Sequence, residues 1–330
     1  MENKWYPLRF DPILKEKIWG GHKLRDLLNK SNEDLPFGES WEVAGLPNDQ
    51  SVVSQGAFEG QTLGYLCSAF LPTGQAGAKA LLGPKVAAQF GTTFPLLIKF
   101  IDAAADLSVQ LHPNDAIARR EHDSFGKTEM WYIMHAEPGA KIIVGFNKEM
   151  TAQSFASSIE AGTITQDLKY IPVSAGDAFF IDAGLIHAIG AGVVLTEIQQ
   201  TSDVTYRVYD YDRRQSDGTL RDLHIEAAKK AIDYRTDQKF VLDYDKSSKG
   251  VQKLKHSNFF KTDIVQLGAL GHQVSRTDSF TILIAVMGAI SIACDGKLEV
   301  LATGQTILIP AACEEVIVSG EGASFLEVYL

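Results

Sequence analysis

The chain has 330 residues, a formal net charge of −10 and 45% apolar residues. That length and composition fit an ordinary globular chain of two or three domains, and the acidic balance argues against a nucleic-acid partner. The first residues form no apolar leader and the longest apolar stretch, 282–290, is too short for a bilayer. Three scattered cysteines, Cys67, Cys294 and Cys313, without CxxC spacing, fit a reducing cytoplasm.

In chain order, residues 1–60 read as strand and loop, with Trp19, Gly20, Gly21 and His22 as a turn. Residues 39–44 alternate as a strand does, and 62–90 read as helical, interrupted or restarted at Pro84. Residues 94–101 form an apolar run of strand length that leads into LSVQLHPND, residues 107–115. Here Leu107, Val109 and Leu111 alternate with Ser108, Gln110 and His112, so the pattern places Gln110 and His112 on one face. A short helix follows over about 115–123. Strands at 129–135 and 141–146 flank a turn at Glu137, Pro138 and Gly139, which is a hairpin signal. Thr151 is a candidate N-cap for a helix over 151–161. Short strands with glycine turns fill 171–209, an amphipathic helix covers 222–234, and the polar stretch 243–250 precedes an all-β module. Many short strands at this spacing predict sandwiches or barrels.

Two segments are alike. GDAFFIDAGLIH (176–187) and GQTILIPAACEE (304–315) share a glycine, three apolar residues and a turn. Both resemble the second half of the cupin signature, G-x5-P-x-G-x2-H. The first keeps both glycines and His187 but has Asp182 at the proline position. The second keeps Gly304 and Pro310 but has Ala312 for glycine and Glu315 for histidine. The fold class expected is therefore mainly β: two cupin-type jelly-roll β-barrels with an inserted small helical region at about 60–90. Residues 1–240 form the expected catalytic domain, and residues 241–330 a cupin-like domain lacking metal ligands.

In cupin order the candidate metal ligands are Gln110, His112, Glu129 and His187. Two imidazoles, a carboxylate and an amide oxygen suit a borderline divalent ion such as Zn²⁺, one per chain. Each also has a bland reading: a strand amide facing water, a turn histidine, a surface salt bridge, a core histidine. Sixteen residues separate His112 from Glu129, enough for a helix beside the site, and they bring Lys127 near it. Thr205, Arg207 and Tyr209 share one face of a strand. Arg207 either enters the pocket or pairs with Asp203 or Asp210 at an edge. Arg213 and Arg214 follow in a loop and are expected to meet solvent. Lys99 is either a snorkelling edge lysine or a pocket residue. There is no P-loop and no GxGxxG, so an anion must be held by side chains or a helix N-terminus.

Residues 94–102, 107–115, 126–132, 184–190 and 202–213, with Trp19 to Gly21 and Glu39 to Glu42, resemble the type I mannose-6-phosphate isomerase (phosphomannose isomerase) family in its short bacterial form. The resemblance runs from about residue 5 to 235. It implies a zinc site made by Gln110, His112, Glu129 and His187, roles near the substrate for Lys127 and Arg207, and interconversion of mannose 6-phosphate and fructose 6-phosphate through a cis-enediol. Lys127 fits a proton shuttle if burial and the metal depress its pKa. Arg207 fits a stabiliser of negative oxygen or a phosphate clamp. Lys99 and Ser202 are candidates for substrate binding. Rival readings are an isomerase of another phosphosugar, an iron dioxygenase, and a non-catalytic sugar-phosphate-binding cupin. No nucleic acid or membrane partner is expected, and no sequence feature fixes an oligomeric state.

Overall fold

Period-two alternation and β-branched residues put most of the chain into strands. The computed structural model is mainly β and describes residues 5–69, 77–215 and 217–330. Its N-terminal half holds two large sheets and a two-stranded one, Gly45–Leu46 with Asp49–Gln50. The larger runs Ile13–Gly21, Phe37–Val43, Leu96–Ala103, Val193–Gln200, Glu129–Ala136, Ala178–Ile181. The smaller runs Tyr206–Tyr209, Val109–Leu111, His187–Ile189, Lys141–Phe146, Leu168–Pro172. Ile101, Trp131 and Ile133 of the first pack with Ile142, Val144 and Ile189 of the second in one apolar cluster, so the sheets face each other as a jelly roll.

The C-terminal half repeats the plan. Its larger sheet runs Gly250–His256, Lys261–Gln266, Ser324–Tyr329, Thr281–Met287, Thr306–Ile309. Its smaller sheet runs His272–Val274, Val316–Ser319, Ile290–Cys294, Lys297–Leu301. Set aside Ile13–Gly21 and Tyr206–Tyr209, and the order of strands in the two larger sheets is the same. So is the order in the two smaller ones. The sequence repeat falls on equivalent strands, Ala178–Ile181 and Thr306–Ile309. The N-terminal half differs by its two added edge strands, which bring in Lys17, Trp19 and Arg207.

Four local expectations change. Trp19 to Gly21 is not a turn but the end of strand Ile13–Gly21. Gly20 is needed there for close approach: a Cβ would lie 2.5 Å from Gly38 N and Pro36 O. Strands Glu129–Ala136 and Lys141–Phe146 do not form a hairpin. The first pairs with Val193–Gln200 and Ala178–Ile181, the second with His187–Ile189 and Leu168–Pro172. The turn between them carries the chain from one sheet to the other, because long-range partners outbid the local one. The helical region of 62–90 contains the separate helices Leu63–Ser68, Gly77–Leu82 and Pro84–Phe90. Pro84, with no N–H to give, starts the last one. The helix of 222–234 shrinks to Ile225–Ala231.

Other helix ends follow the sequence signals. Asn114 caps Asp115–His122 by accepting from Ile117 N at 3.0 Å. Thr151 caps Ala152–Glu160 with a reciprocal Ser154 bond. The free carbonyls that end Gly77–Leu82 are taken by the C-terminal half: Ala311 N donates to Leu81 O and Phe280 N to Leu82 O, both at 3.0 Å. Leu8 and Leu308 also exchange backbone bonds, and one apolar core runs through both halves. Among the described residues no helix is long and apolar enough to cross a membrane.

Candidate metal centre and its cavity

Sheet register sets the site. Trp41, Lys99, Glu197 and Trp131 stand opposite one another on four neighbouring strands of the larger sheet. One pleat further on, Leu97, Gln199 and Glu129 form a second row. On the smaller sheet Arg207, Gln110 and His187 stand opposite one another. Side chains of alternate residues share a face, and the first row of the larger sheet looks at the row of the smaller sheet across a cavity of about 320 Å³.

At one end of it, His112 Nε2 lies 3.5 Å from Glu129 Oε2, and His187 Nε2 lies 3.5 Å from Glu129 Oε1. The donor atoms of all three residues fall within 4.8 Å of one another, and all three are buried. His112 Nδ1 donates to Val204 O at 2.9 Å and His187 Nδ1 to Leu185 O at 2.8 Å. Those bonds assign the neutral tautomer and turn each Nε2 lone pair inward. Burial pushes both imidazoles down, His187 to about 4, and the Lys127 charge works in the same direction. Burial and then the Glu197 charge push the Glu129 carboxyl up. His112 Nε2, His187 Nε2 and Glu129 Oε1 face inward with no hydrogen-bond partner, and Glu129 Oε2 is met by the Lys127 ammonium at 3.1 Å. Leaving three buried polar atoms unmet costs free energy. A divalent cation would meet them, so these residues fit one.

His187 is delivered by a turn that needs glycine. Gly184 has φ +88°, and a Cβ there would lie 2.6 Å from Ala231 O. Its N–H donates to His112 O at 2.8 Å, which ties the two histidine segments together. Gln110 lines the cavity beside His187, and its Oε1 accepts from Ser108 Oγ at 3.2 Å.

Lys127 is buried, 3.1 Å from Glu129 Oε2 and 3.7 Å from Glu197 Oε1. Its backbone is pinned: Lys127 N donates to Pro113 O at 3.1 Å, and Thr128 N to Gln200 Oε1 at 3.0 Å. Burial pulls the Lys127 ammonium down, but Glu129 and Glu197 more than offset it, so its pKa is raised. The depressed lysine expected from burial is therefore not what these residues make on their own. Lys99 is a pocket residue, not an edge lysine. It lies 3.3 Å from Glu197 Oε1 and 5.0 Å from the Trp41 ring centroid. Arg207 reaches the cavity and pairs with neither Asp203 nor Asp210; its Nη1 donates to Asp222 O at 2.8 Å. Arg213 does not meet solvent freely, since its Nη2 donates to Asp210 Oδ1 at 2.6 Å. Ser202 is not brought to the cavity. It is buried, with its hydroxyl 3.4 Å from Ser124 Oγ and from Val204 N.

Glu39, Trp41 and Trp131 lie in segments that carry the resemblance but are not among the predicted site residues, and Glu197 lies outside those segments. Trp131 Nε1 donates to Glu197 Oε2 at 3.0 Å, and Trp41 Nε1 to Glu39 Oε2 at 2.7 Å. Burial raises the Glu197 carboxyl, but Lys127 and Lys99 outweigh it and hold Glu197 ionised. A carboxylate inside the run VVLTEIQQ was a visible signal; its place opposite Lys99 was not.

The family model for the phosphomannose isomerase type I catalytic domain matches residues 8–128. Mannose-6-phosphate isomerase ManA of Bacillus subtilis (strain 168) is 41% identical over 228 residues, 69% of this chain and 68% of that protein. Mannose-6-phosphate isomerase of Streptococcus mutans is 40% identical over 220 residues, 67% and 66% of the two chains. A crystal structure of the mannose 6-phosphate isomerase from Bacillus subtilis matches with a TM-score of 0.88 at 29% identity, covering 99% of this chain and 100% of that one. With a relative at that identity over two thirds of both chains, and a solved structure matched along nearly the whole length, the chain belongs to the type I phosphomannose isomerase family.

Proposed function

We propose that the chain interconverts mannose 6-phosphate and fructose 6-phosphate at this cavity, using one Zn²⁺ held by His112, Glu129, His187 and Gln110. The observation that carries the reading is the set of three inward-facing, unpartnered donor atoms on His112, His187 and Glu129 beside ionised Lys127 and Glu197. Residues 1–240 are the catalytic part on this reading, and 241–330 supply no ligand. Two neutral imidazoles, one carboxylate and an amide oxygen leave the ion a net positive charge, and when bound it supplies Lewis-acid polarisation of the sugar's O1 and O2.

Isomerisation moves a proton between C1 and C2 by way of a cis-enediol. Negative charge grows on O1 and O2 as the C–H proton leaves. Lys127, kept charged by Glu129 and Glu197, can donate a hydrogen bond to that oxygen and hand over a proton. The acceptor of the C–H proton must be a deprotonated group that reaches the cavity. Glu197 meets that condition, and Arg207, protonated at any working pH, does not. Lys99 holds Glu197 Oε1 and Trp131 holds Oε2, so the carboxylate is positioned as well as charged. Ser202 enters only indirectly, because its carbonyl accepts from Gln199 at 2.5 Å and so stiffens the strand end beside Glu129.

The test is one coupled assay on purified protein with its metal content measured. Mannose 6-phosphate is supplied and fructose 6-phosphate followed, with chelator and then with added Zn²⁺. Turnover that stops on chelation and returns with zinc supports the reading. A full complement of metal with no turnover overturns it, and binding of the sugar phosphate alone would then mark a non-catalytic cupin.

A further inference from the structure

The cavity wall around Arg207 holds a second guanidinium that the reading above leaves unused. Arg221 lies beyond the loop that follows Tyr206–Tyr209, and it returns to line the cavity with Arg207. It is braced from behind: Nε donates to Asp210 Oδ2 at 2.7 Å and Nη2 to Asp210 Oδ1. Arg213 also holds Asp210 Oδ1 and donates to the main chain at Asp210 and Asp106. Two guanidiniums, Arg213 and Arg221, thus hold one carboxylate. Arg207 and Arg221 line the same cavity of about 320 Å³, and burial and then the Arg221 charge pull the Arg207 guanidinium down from its ordinary range.

The donors left over point the same way. Arg207 spends only Nη1, on Asp222 O, and its buried Nε has no partner. Arg221 spends Nε and Nη2, so Nη1 has no partner among the described residues. Two like charges held together with unmet donors are costly in a free protein. The cost is recovered when a bound anion with several acceptor oxygens completes the set, the geometry in which guanidinium pairs excel. Position agrees. Arg207, Gln110 and His187 are opposite one another on adjacent strands, so two strand spacings put Arg207 about 10 Å from His187. Six bonds of ~1.5 Å in a zigzag put the phosphorus of an extended hexose 6-phosphate roughly 7 Å from C2. The two ends of such a substrate would span metal centre and guanidinium pair.

We propose that Arg221 and Arg207 together clamp the phosphate dianion of the substrate, with Asp210 and Arg213 as the rear brace that fixes Arg221. The assignment rests on the phosphosugar isomerase reading and adds Arg221 to it as a binding residue. Asp203 lines the same cavity and its carboxylate opposes an anion, so directed N–H donors, not a general positive field, carry the affinity.

The experiment uses the metal-loaded full chain and two variants, Arg221→Gln and Arg221→Lys. Inorganic phosphate is titrated calorimetrically, metal affinity is measured alongside, and KM and kcat are taken with mannose 6-phosphate. Loss of a charged donor weakens phosphate binding about tenfold or more. Expected for Arg221→Gln is that loss in phosphate affinity, a matching rise in KM, kcat within threefold, and unchanged metal affinity. Arg221→Lys should recover part of it. Unchanged phosphate affinity in Arg221→Gln overturns the clamp, and so does an equal loss of metal affinity, which would mean general disorder of the cavity. If the unaltered chain binds phosphate but does not turn over mannose 6-phosphate, the isomerase reading fails alone, and the phosphate titrations still decide the clamp.

Discussion

The two halves of the molecule run the same strand order and put charge in the same place, yet among the described residues only the N-terminal half gathers a group of potential metal ligands. In the N-terminal half Lys99 stands opposite Glu197 on the central pair of the larger sheet. In the C-terminal half the equivalent central pair carries Asp263 opposite Glu327. There the polar atoms are matched internally. His256 Nε2 meets Asp263 Oδ1 at 2.8 Å and Tyr329 donates to Asp263 Oδ2 at 3.0 Å. His272 Nε2 meets Glu327 Oε2 at 2.9 Å, Arg276 Nε donates to Glu327 Oε1 at 3.1 Å, and the Arg276 guanidinium lies 3.4 Å from the Tyr329 ring centroid. In the N-terminal half the corresponding interior leaves His112 Nε2, His187 Nε2 and Glu129 Oε1 unmatched, while Glu197 is held by Lys99 and Trp131. Topology supplies the place, and leaving hydrogen bonds unmade supplies the site. Around Asp263 and Glu327 the second half has made its bonds.

The sharpest way to break that contrast is to remove a donor from the open half. Glu129→Gln takes away the triad's only charge, and metal affinity should fall by at least about 100-fold. Metal per chain after dialysis checks this, and activity should fall with it. Retention of metal by Glu129→Gln would remove the triad as the metal's holder. Glu197→Gln is the next largest effect. It leaves the metal donors in place, so bound metal should persist while kcat drops about 10²- to 10⁴-fold, the span of a positioned acid–base group. Rates at saturating substrate decide it, and a kcat near that of the parent would exclude Glu197 from proton transfer.

How much of this was legible in the sequence divides along the same physical line. Local signals were readable: the alternation at 107–112, the Asn114 and Thr151 caps, and the glycine turn before His187. Histidine and carboxylate in cupin order gave the triad, because metal chemistry restricts which residue types can serve. What was not legible depended on which strand lies next to which. Glu129–Ala136 and Lys141–Phe146 look like a hairpin and are parted between sheets, since the choice of partner is made by distant strands. Glu197 opposite Lys99, and Trp131 beside it, come from register set more than 60 residues away in sequence. Ser202 was misplaced for the same reason: a polar residue at a strand end can face the cavity or the packed side, and here it faces Ser124. Lys127 shows the limit for charge, because burial alone would depress it, and Glu129 two residues on together with Glu197 from a distant strand reverse the sign.

The closed half gives a complementary measurement. Glu327→Gln breaks a buried pair and leaves the Arg276 and His272 partners without their charge. Truncating one partner of such a network costs about 3 kcal/mol. The urea midpoint should fall while kcat, KM and bound metal stay at parental values. A loss of activity without a loss of stability would show that the second half contributes to chemistry and is not support alone.

The smallest effect is expected at the join between scaffold and site. Trp131 has two tasks: its ring meets His187 edge-on at 5.4 Å between centroids, and its Nε1 donates to Glu197 Oε2 at 3.0 Å. Trp131→Phe keeps an aromatic wall and deletes only the donor. One hydrogen bond to a charged group is worth about 1.5 kcal/mol, so kcat should fall about tenfold with metal content unchanged. That bond also helps hold Glu197 ionised, so without it the carboxyl pKa moves upward and the acid limb of the rate profile moves with it. A full kcat with an unmoved acid limb would mean that Lys99 and Lys127 alone position Glu197. The open site would then be held by its ion pairs, with the tryptophan row serving packing only.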